Sequence, residues 1–126
     1  PWRVGIRDPR GEAWDFFAVI SLADGNVSTS GDYERFFIHK GRRYHHIIDP
    51  ATGMPASGLR SATVLAPTGT DADALSTACM VMGRVRAMAM VEADPGLDAV
   101  LVDDKGQLHA SSGMADRLQL LHPPLP

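Results

Sequence analysis

Residues 70–83 read Thr-Asp-Ala-Asp-Ala-Leu-Ser-Thr-Ala-Cys-Met-Val-Met-Gly, and they predict the helix around which the rest of the chain folds. Thr70 is a residue type that caps helices, and Asp73 follows it at the spacing of a capping box. Four residues at helical intervals predict one apolar face: Leu75, Ala78, Cys79 and Met82. Gly83 is typical of the position just after a helix, so we expect the helix to end there.

Asp73 and Thr77 are four residues apart and therefore lie one above the other on a neighbouring face of this helix. A carboxylate and a hydroxyl are hard oxygen ligands of the kind that magnesium prefers, and a helix N-terminus attracts phosphate. The alternative is structural: Asp73 caps the helix and Thr77 hydrogen-bonds back to its own backbone. These two residues taken alone favour the structural alternative.

Length and composition limit the classes of protein. The chain has 126 residues, of which 44% are hydrophobic and 21% charged, as in an ordinary globular domain. Twelve Lys and Arg against fifteen Asp and Glu give a net charge of -3, and there is no long basic run, so we expect no nucleic-acid partner. The single cysteine, Cys79, excludes an intrachain disulfide and is expected to be a buried structural thiol.

Strand patterns lie on both sides of the predicted helix. We predict strands at residues 2–7, 13–22, 34–39, 44–48, 59–66, 97–102 and 107–111. A second helix is predicted at residues 84–93, with three residues toward the core: Val85, Met88 and Val91. Residues 114–121 fit either a short helix or a strand. Hairpin-connected strands with two central helices predict an α+β fold with a largely antiparallel sheet, in one domain over residues 1–121, followed by a Pro-rich tail at 122–126 that is disordered or peripheral.

Two further polar stretches carry groups that bind ligands. Residues 28–33, Ser-Thr-Ser-Gly-Asp-Tyr, combine hydroxyls with a glycine that lets the backbone approach a phosphate or ribose; the alternative is a bulge or turn without a ligand. Residues 44–53 read Tyr-His-His-Ile-Ile-Asp-Pro-Ala-Thr-Gly. Successive strand residues face opposite ways, so His45 and His46 do not form a two-histidine metal site, and either is a candidate general base or a structural histidine.

The three motifs, in this order, resemble the ApbE family of flavin transferases. The resemblance is carried by residues 2–6, 28–33, 41–53, 72–78 and 81–83, and it covers the chain from Trp2 to about Ser111. It implies an ApbE-like, T-fold-like arrangement and the activity of a magnesium-dependent FAD:protein FMN transferase. Such an enzyme attaches the FMN part of FAD to a threonine hydroxyl of a target protein and releases AMP. An FAD-binding protein, or an FAD pyrophosphatase without protein flavinylation, is the alternative function.

The same resemblance assigns roles to residues. It implies that Asp73 and Thr77 bind the metal ion, with Ser76 as a further ligand. It implies that His46 transfers a proton and that Ile48 contacts FAD. The remaining cofactor-binding residues implied by the motifs are Ser30, Gly31, Asp49 and Thr52.

The resemblance also sets expectations about what surrounds this chain. Family members are much longer, so we expect these residues to be the C-terminal portion of a domain whose missing N-terminal half completes the flavin pocket. The exposed edge of the opening strand is expected to take a partner strand from that half. By resemblance alone, we expect a membrane-anchored lipoprotein that faces the periplasm or the cell exterior.

Overall fold

The computed structural model describes residues 1–126 and contains nine strands, two α-helices and a short 3-10 helix at Ser112–Met114. The strands are β1 (Trp2–Arg7), β2 (Phe16–Leu22), β3 (Asn26–Gly31), β4 (Phe36–His39), β5 (Arg42–His45), β6 (Leu59–Ala66), β7 (Asp98–Asp103), β8 (Leu108–Ala110) and β9 (Leu118–Leu120). The helices are α1 (Gly69–Met82) and α2 (Arg84–Ala93). Neither helix is long and apolar enough to cross a membrane.

The strands form three antiparallel sheets. The central sheet has the order β3-β6-β7-β8, a second sheet has the order β1-β2-β9, and β4 pairs with β5 alone. The predicted α+β class with antiparallel strands is therefore confirmed, although the strands are divided among three sheets. β1 pairs only with β2, and its outer edge is unpaired. The expectation that another strand joins this edge stays a prediction.

The two middle strands of the central sheet, β6 and β7, are buried on both faces, because helices cover one face and the second sheet covers the other. Along β6 and β7, alternate side chains enter two different apolar clusters. Val64 and Leu101 pack with α1 and α2, whereas Leu65 and Val100 pack with β1 and β2. This arrangement explains why β6 reads as an almost continuous apolar run rather than as an alternating pattern.

Helix α1 begins earlier than the sequence pattern predicted. Thr68 is the N-cap: its Oγ1 accepts a hydrogen bond from the N–H of Asp71 at 3.1 Å and donates one to the Asp71 carboxylate at 2.8 Å. The prediction that Thr70 caps the helix with Asp73 is therefore wrong. Both pairs have the same spacing, and the earlier pair is used because β6 ends at Ala66, immediately before it. The helix ends before Gly83, as predicted, where φ is +78°.

The buried face of α1 is rotated from the predicted one. Its fully buried residues are Ala72, Ser76, Cys79 and Met80. Of the four predicted residues, only Cys79 is fully buried, and Leu75, Ala78 and Met82 are half-buried. The face that meets the sheet therefore includes the hydroxyl of Ser76, which the apolar pattern did not count.

Helix α2 has the predicted bounds, but one of its three predicted core residues is exposed. Val85 is 69% exposed, whereas Ala87 and Val91 are buried against the central sheet. At 100° per residue, Val85 lies about 160° around the helix from Ala87, so it faces solvent. Met88 is half-buried at the edge of the buried face.

The chain ends at the surface and is fixed there by hydrogen bonds. Residues 114–121 contain the end of the 3-10 helix and then β9, which pairs with β2, so the strand alternative is correct for Leu118–Leu120. The tail is peripheral, as predicted. The N–H of Leu125 donates to the buried carboxylate of Asp8 at 2.9 Å, and Arg60 donates to the Leu125 carbonyl oxygen at 3.0 Å.

Candidate functional site

Side-chain oxygens from β3 and from the N-terminal two-thirds of α1 meet in one group, which we call the hydroxyl cluster: Ser28, Ser30, Asp73, Ser76 and Thr77. The Oγ of Ser30 lies 2.8 Å from Ser76 Oγ and 2.9 Å from Thr77 Oγ1. Ser28 Oγ makes a longer contact of 3.5 Å with Asp73 Oδ1. The structure thus brings together four of the predicted site residues, namely Ser30, Asp73, Ser76 and Thr77.

The local sequence explains this meeting. Ser28 and Ser30 are two residues apart on β3, so they share the face that packs on α1. Asp73, Ser76 and Thr77 are spaced by three and four residues, so they share one side of the helix. Two independent periodicities therefore direct hydroxyls and a carboxylate at the same place.

Gly31, at the end of β3, has a packing reason to be glycine. A Cβ at this position would collide with the ring of Tyr33. The structure thus explains Gly31 without a ligand, and its predicted part in FAD binding stays a prediction.

The hydroxyls of Ser76 and Thr77 differ in how closely they hydrogen-bond to the backbone of their own helix. Ser76 is fully buried, and its Oγ donates to the Asp73 carbonyl oxygen at 2.9 Å while it also bonds Ser30. Thr77 is exposed, and its bond to the same carbonyl is long, at 3.4 Å. Ser76 therefore holds Ser30 in place, whereas the Thr77 hydroxyl stays open to a ligand on the solvent side.

The donor set of the hydroxyl cluster fits a magnesium ion in part. Asp73 is an exposed carboxylate beside the Thr77 hydroxyl, and both are oxygen ligands. No group of three or more His, Cys, Asp or Glu side chains is placed to hold a metal ion. Because magnesium usually keeps several waters and binds through one or two carboxylates plus substrate phosphates, a partial site of this kind suits it.

His45 and His46 occupy opposite environments, as predicted. His45 is 7% exposed; its Nε2 donates to the Ala56 carbonyl oxygen at 2.8 Å, and its Nδ1 accepts from the Ile47 N–H at 3.3 Å. This bonding pattern assigns a ring proton to Nε2, because a carbonyl oxygen only accepts a hydrogen bond. His46 is exposed, and only its backbone N–H is engaged, with the Arg35 carbonyl oxygen at 3.0 Å. His46 is therefore the histidine that is free to meet a ligand.

The segment after His46 is attached to the same core as α1. Ile47 is buried in the apolar cluster that contains Cys79 and Met80, whereas Ile48 is 47% exposed. Ile48 also pairs with Pro55 across the loop. The loop thus presents Ile48 as an apolar surface for a ligand while Ile47 anchors it.

Asp49 and Thr52 are occupied by the turn itself. Asp49 Oδ1 accepts from the Ala51 N–H at 2.9 Å, and Thr52 Oγ1 accepts from the Met54 N–H at 3.2 Å. The Asp49 carbonyl closes the turn on Gly53 at 2.8 Å. Turn chemistry therefore accounts for both side chains. No hydrogen bond joins them to the hydroxyl cluster, and their contact with FAD stays a prediction.

Two buried side chains lie near these motifs: Asp32, for which the sequence predicted no role, and Cys79, which it predicted to be a structural thiol. Asp32, which is 7% exposed, accepts two hydrogen bonds from Arg10, at 2.7 and 2.8 Å, and this pairing raises the pKa of Arg10. No sequence signal pairs these residues, because 22 positions separate them. Burial raises the pKa of the Cys79 thiol to about 11, which agrees with a structural thiol.

Comparisons with known proteins agree with the fold and the motifs. The model of the ApbE family matches residues 1–101. An FAD:protein FMN transferase of Treponema pallidum is 48% identical over 121 residues, which are 95% of this chain and 33% of that protein. The crystal structure of an ApbE protein from Thermotoga maritima superposes with a TM-score of 0.82 at 44% identity, covering 90% of this chain and 37% of that one.

A second solved structure, the flavin transferase ApbE from Vibrio cholerae, gives a TM-score of 0.73 at 35% identity, over 93% of this chain and 38% of that one. The chain therefore spans about a third of the length of the relatives it matches. Because the family model covers most of the chain and the solved structures share its fold, the chain belongs to the ApbE family.

Proposed function

We propose that this chain forms the metal-binding and phosphate-binding side of a magnesium-dependent FAD:protein FMN transferase. The observation that carries the proposal is the hydroxyl cluster, in which the exposed Thr77 hydroxyl meets Ser30 at 2.9 Å and the exposed Asp73 carboxylate lies one turn before Thr77 on α1. A relative that bears the transferase name aligns with 95% of the chain, which supports the same assignment.

The reaction is a phosphoryl transfer. The hydroxyl oxygen of an acceptor threonine attacks the phosphorus of the FMN half of FAD, the bond from that phosphorus to the bridging oxygen breaks, and AMP leaves with that oxygen. When bound, magnesium supplies charge neutralisation at the pyrophosphate. Asp73 and Thr77 would hold the ion from the protein side.

Two other groups complete the proposed chemistry. Ser30 is fixed by Ser76 and presents its hydroxyl beside Thr77, so it orients a phosphate oxygen. His46 accepts the proton of the threonine hydroxyl, because its imidazole is exposed and makes no hydrogen bond within the chain, unlike that of His45. Ile48 offers an exposed apolar contact to FAD.

The proposed partners are those that a complete FAD pocket and a transfer reaction require beyond these 126 residues. A cleft of about 560 Å³ lies between α2 and β8 and is not lined by the hydroxyl cluster. Flavin and adenine rings need a pocket that buries most of their surface. We therefore propose that residues outside these 126, the N-terminal half of an ApbE domain, close over FAD, and that the second substrate is a protein with an acceptor threonine. A lipid-anchored, extracytoplasmic location belongs to the same proposal.

A chimera tests the function. These 126 residues replace the matching third of the Treponema pallidum enzyme, and AMP release from FAD is measured together with FMN incorporation into an acceptor protein, with and without magnesium. We expect magnesium-dependent transfer. FMN released into solution without labelled acceptor would favour the pyrophosphatase alternative, and a folded chimera that binds FAD without releasing AMP would favour the binding protein.

Substitutions in the chimera test the metal site. Asp73→Asn is expected to reduce magnesium-dependent turnover by about 100-fold, because it removes the charged ligand. Asp71→Asn is the matched control: it changes the same kind of residue on the same helix, but its carboxylate bonds only to Thr68. Equal turnover for Asp73→Asn and Asp71→Asn would remove the metal role of Asp73.

A further inference from the structure

A basic cleft of about 230 Å³ opens beside β5 and the segment that leads into β6. Its charged lining residues are four arginines and two aspartates: Arg10, Arg42, Arg43, Arg60, Asp32 and Asp104. Four positive charges and two negative charges leave a net charge of +2 around the cleft. No residue of the hydroxyl cluster lines the cleft, whereas the buried His45 does.

Two of the arginines form the fixed wall of the cleft. Arg10 is held by both oxygens of Asp32, at 2.7 and 2.8 Å. Arg60 is held by backbone carbonyl oxygens, that of Leu125 at 3.0 Å and that of Asp104 at 2.9 Å. Carbonyl groups orient a guanidinium but bring no full negative charge, so the charge of Arg60 is not neutralised by these bonds.

The other two arginines keep free donors. Arg43 donates only to the Asp32 carbonyl oxygen, at 3.3 Å, and otherwise lies over the Phe36 ring at 3.9 Å. The Arg42 guanidinium lies over the Tyr44 ring at 5.2 Å, and its side chain makes no hydrogen bond within the chain. Burial lowers the pKa of Arg43, and the charges of Arg10 and Arg60 lower it further against the effect of Asp32. The cations of the cleft therefore repel one another when no anion lies between them.

We propose that this cleft binds a phosphate group. Guanidinium forks match phosphate oxygens in geometry and in charge. A phosphate monoester carries about -1.5 to -2 charges at neutral pH, which balances the lining. The volume accommodates a phosphate and its waters but is smaller than the roughly 300–1,000 Å³ of sites that enclose a whole drug-sized molecule. The ligand is therefore inorganic phosphate, or the phosphate of a small molecule whose remainder stays outside.

Titration of the 126-residue chain tests the proposal without FAD or magnesium, so its outcome is independent of the proposed transferase function. Sodium phosphate is added and backbone amide shifts are followed by NMR, with sodium chloride at equal ionic strength as the reference. We expect saturable shifts at residues 42–43 and 57–60 with phosphate only. Equal shifts with chloride, or shifts confined to other parts of the chain, would overturn the proposal.

Two arginine variants and one control complete the test. Arg42→Gln and Arg43→Gln are each expected to weaken phosphate binding by about five-fold, because each removes a charged donor. Arg86→Gln removes an exposed arginine of α2 outside the cleft, and we expect it to leave the affinity within about two-fold. The Arg42 side chain is exposed and makes no hydrogen bond, so its variant tests binding rather than folding. If Arg86→Gln lost as much phosphate affinity as the cleft variants, the net charge of the chain would explain the loss, and the proposal would be overturned.

AMP, added in a separate titration, distinguishes the two sources of phosphate. The same affinity and the same shifts as with inorganic phosphate identify the phosphate group as the whole ligand. Tighter binding, with shifts beyond the cleft, identifies a nucleotide whose base lies on the neighbouring surface. Phosphate binding that Arg42→Gln and Arg43→Gln both leave unchanged would place the anion elsewhere and refute the assignment.

Discussion

Replacement of Thr68 by alanine tests where α1 begins, and the positions of Asp73 and Thr77 depend on that start. The Thr68 hydroxyl accepts a hydrogen bond from the Asp71 N–H at 3.1 Å and donates one to its carboxylate at 2.8 Å. Alanine removes both bonds. Because this end of the helix is exposed, water replaces part of what is lost, and we expect the free energy of unfolding to fall by about 1 kcal/mol. For a domain of this size, Tm should fall by about 4 °C.

The matched control is Thr70→Ala, two residues further along the same turn. Thr70 is exposed and its side chain caps nothing, and alanine is the better helix former, so stability should rise by a few tenths of a kcal/mol, roughly 0.5 at most. Urea unfolding of both variants, followed by circular dichroism, gives the two free energies at a common slope. If Thr70→Ala were the destabilising change, the helix would begin at the later capping box and Asp73 would be a capping residue.

The remaining predictions concern buried groups. His45→Ala should lower the free energy of unfolding by about 2 kcal/mol, since it leaves two buried backbone groups unpaired. His46→Ala should change it by less than about 0.5 kcal/mol, because the His46 side chain is exposed. If urea unfolding showed similar losses for both variants, their environments would not be opposite. Burial pushes the pKa of Asp103 up, but hydrogen bonds from His109 and from two backbone N–H groups outweigh it and hold that pKa below its usual value. Its stabilising contribution is therefore present above the unfolded pKa of 3.8 and is lost as pH falls through the lower native pKa. Asp103→Asn keeps the Oδ1 that accepts both backbone N–H bonds but loses the charged bond to His109, so it should cost about 1 kcal/mol at pH 7 and remove this part of the acid dependence. A variant with an unchanged stability profile would refute the assignment. The Cys79 thiol, with its pKa raised to about 11, should react with a thiol reagent at pH 8 only as the chain unfolds, so prompt labelling of the native protein would contradict its burial.

Much of the secondary structure could be predicted, because glycine, proline and residue periodicity mark it locally. α2 has the predicted bounds, and β6 was predicted in full. The start of α1 was predicted wrongly, because Thr68 and Thr70 each have an aspartate three residues later and the local pattern does not choose between them. The choice depends on where β6 ends, and strand pairing determines that end.

The division into sheets could not be predicted, since it depends on contacts between distant residues. β9 joins β2 although about 100 positions separate Ala18 from Leu120. The same limit applies to the site. The sequence identified Ser30, Ser76 and Thr77 through motifs, but their contacts cross from a strand to a helix, and local patterns do not encode such contacts. The pair of Arg10 and Asp32 is likewise formed only by the fold.

The two parts of the candidate site are positioned by the core and not by bonds to each other. From His45 to Ile48, buried and exposed side chains alternate, so the two residues assigned to substrate by resemblance, His46 and Ile48, share the outer side. Ile47, between them, packs in the apolar cluster that also contains residues of α1. No hydrogen bond joins His46 or Ile48 to the hydroxyl cluster, so the distance between the two parts is determined by close packing, which resists change more than a flexible polar contact does. A ligand that meets both parts is therefore held between two elements that share one core.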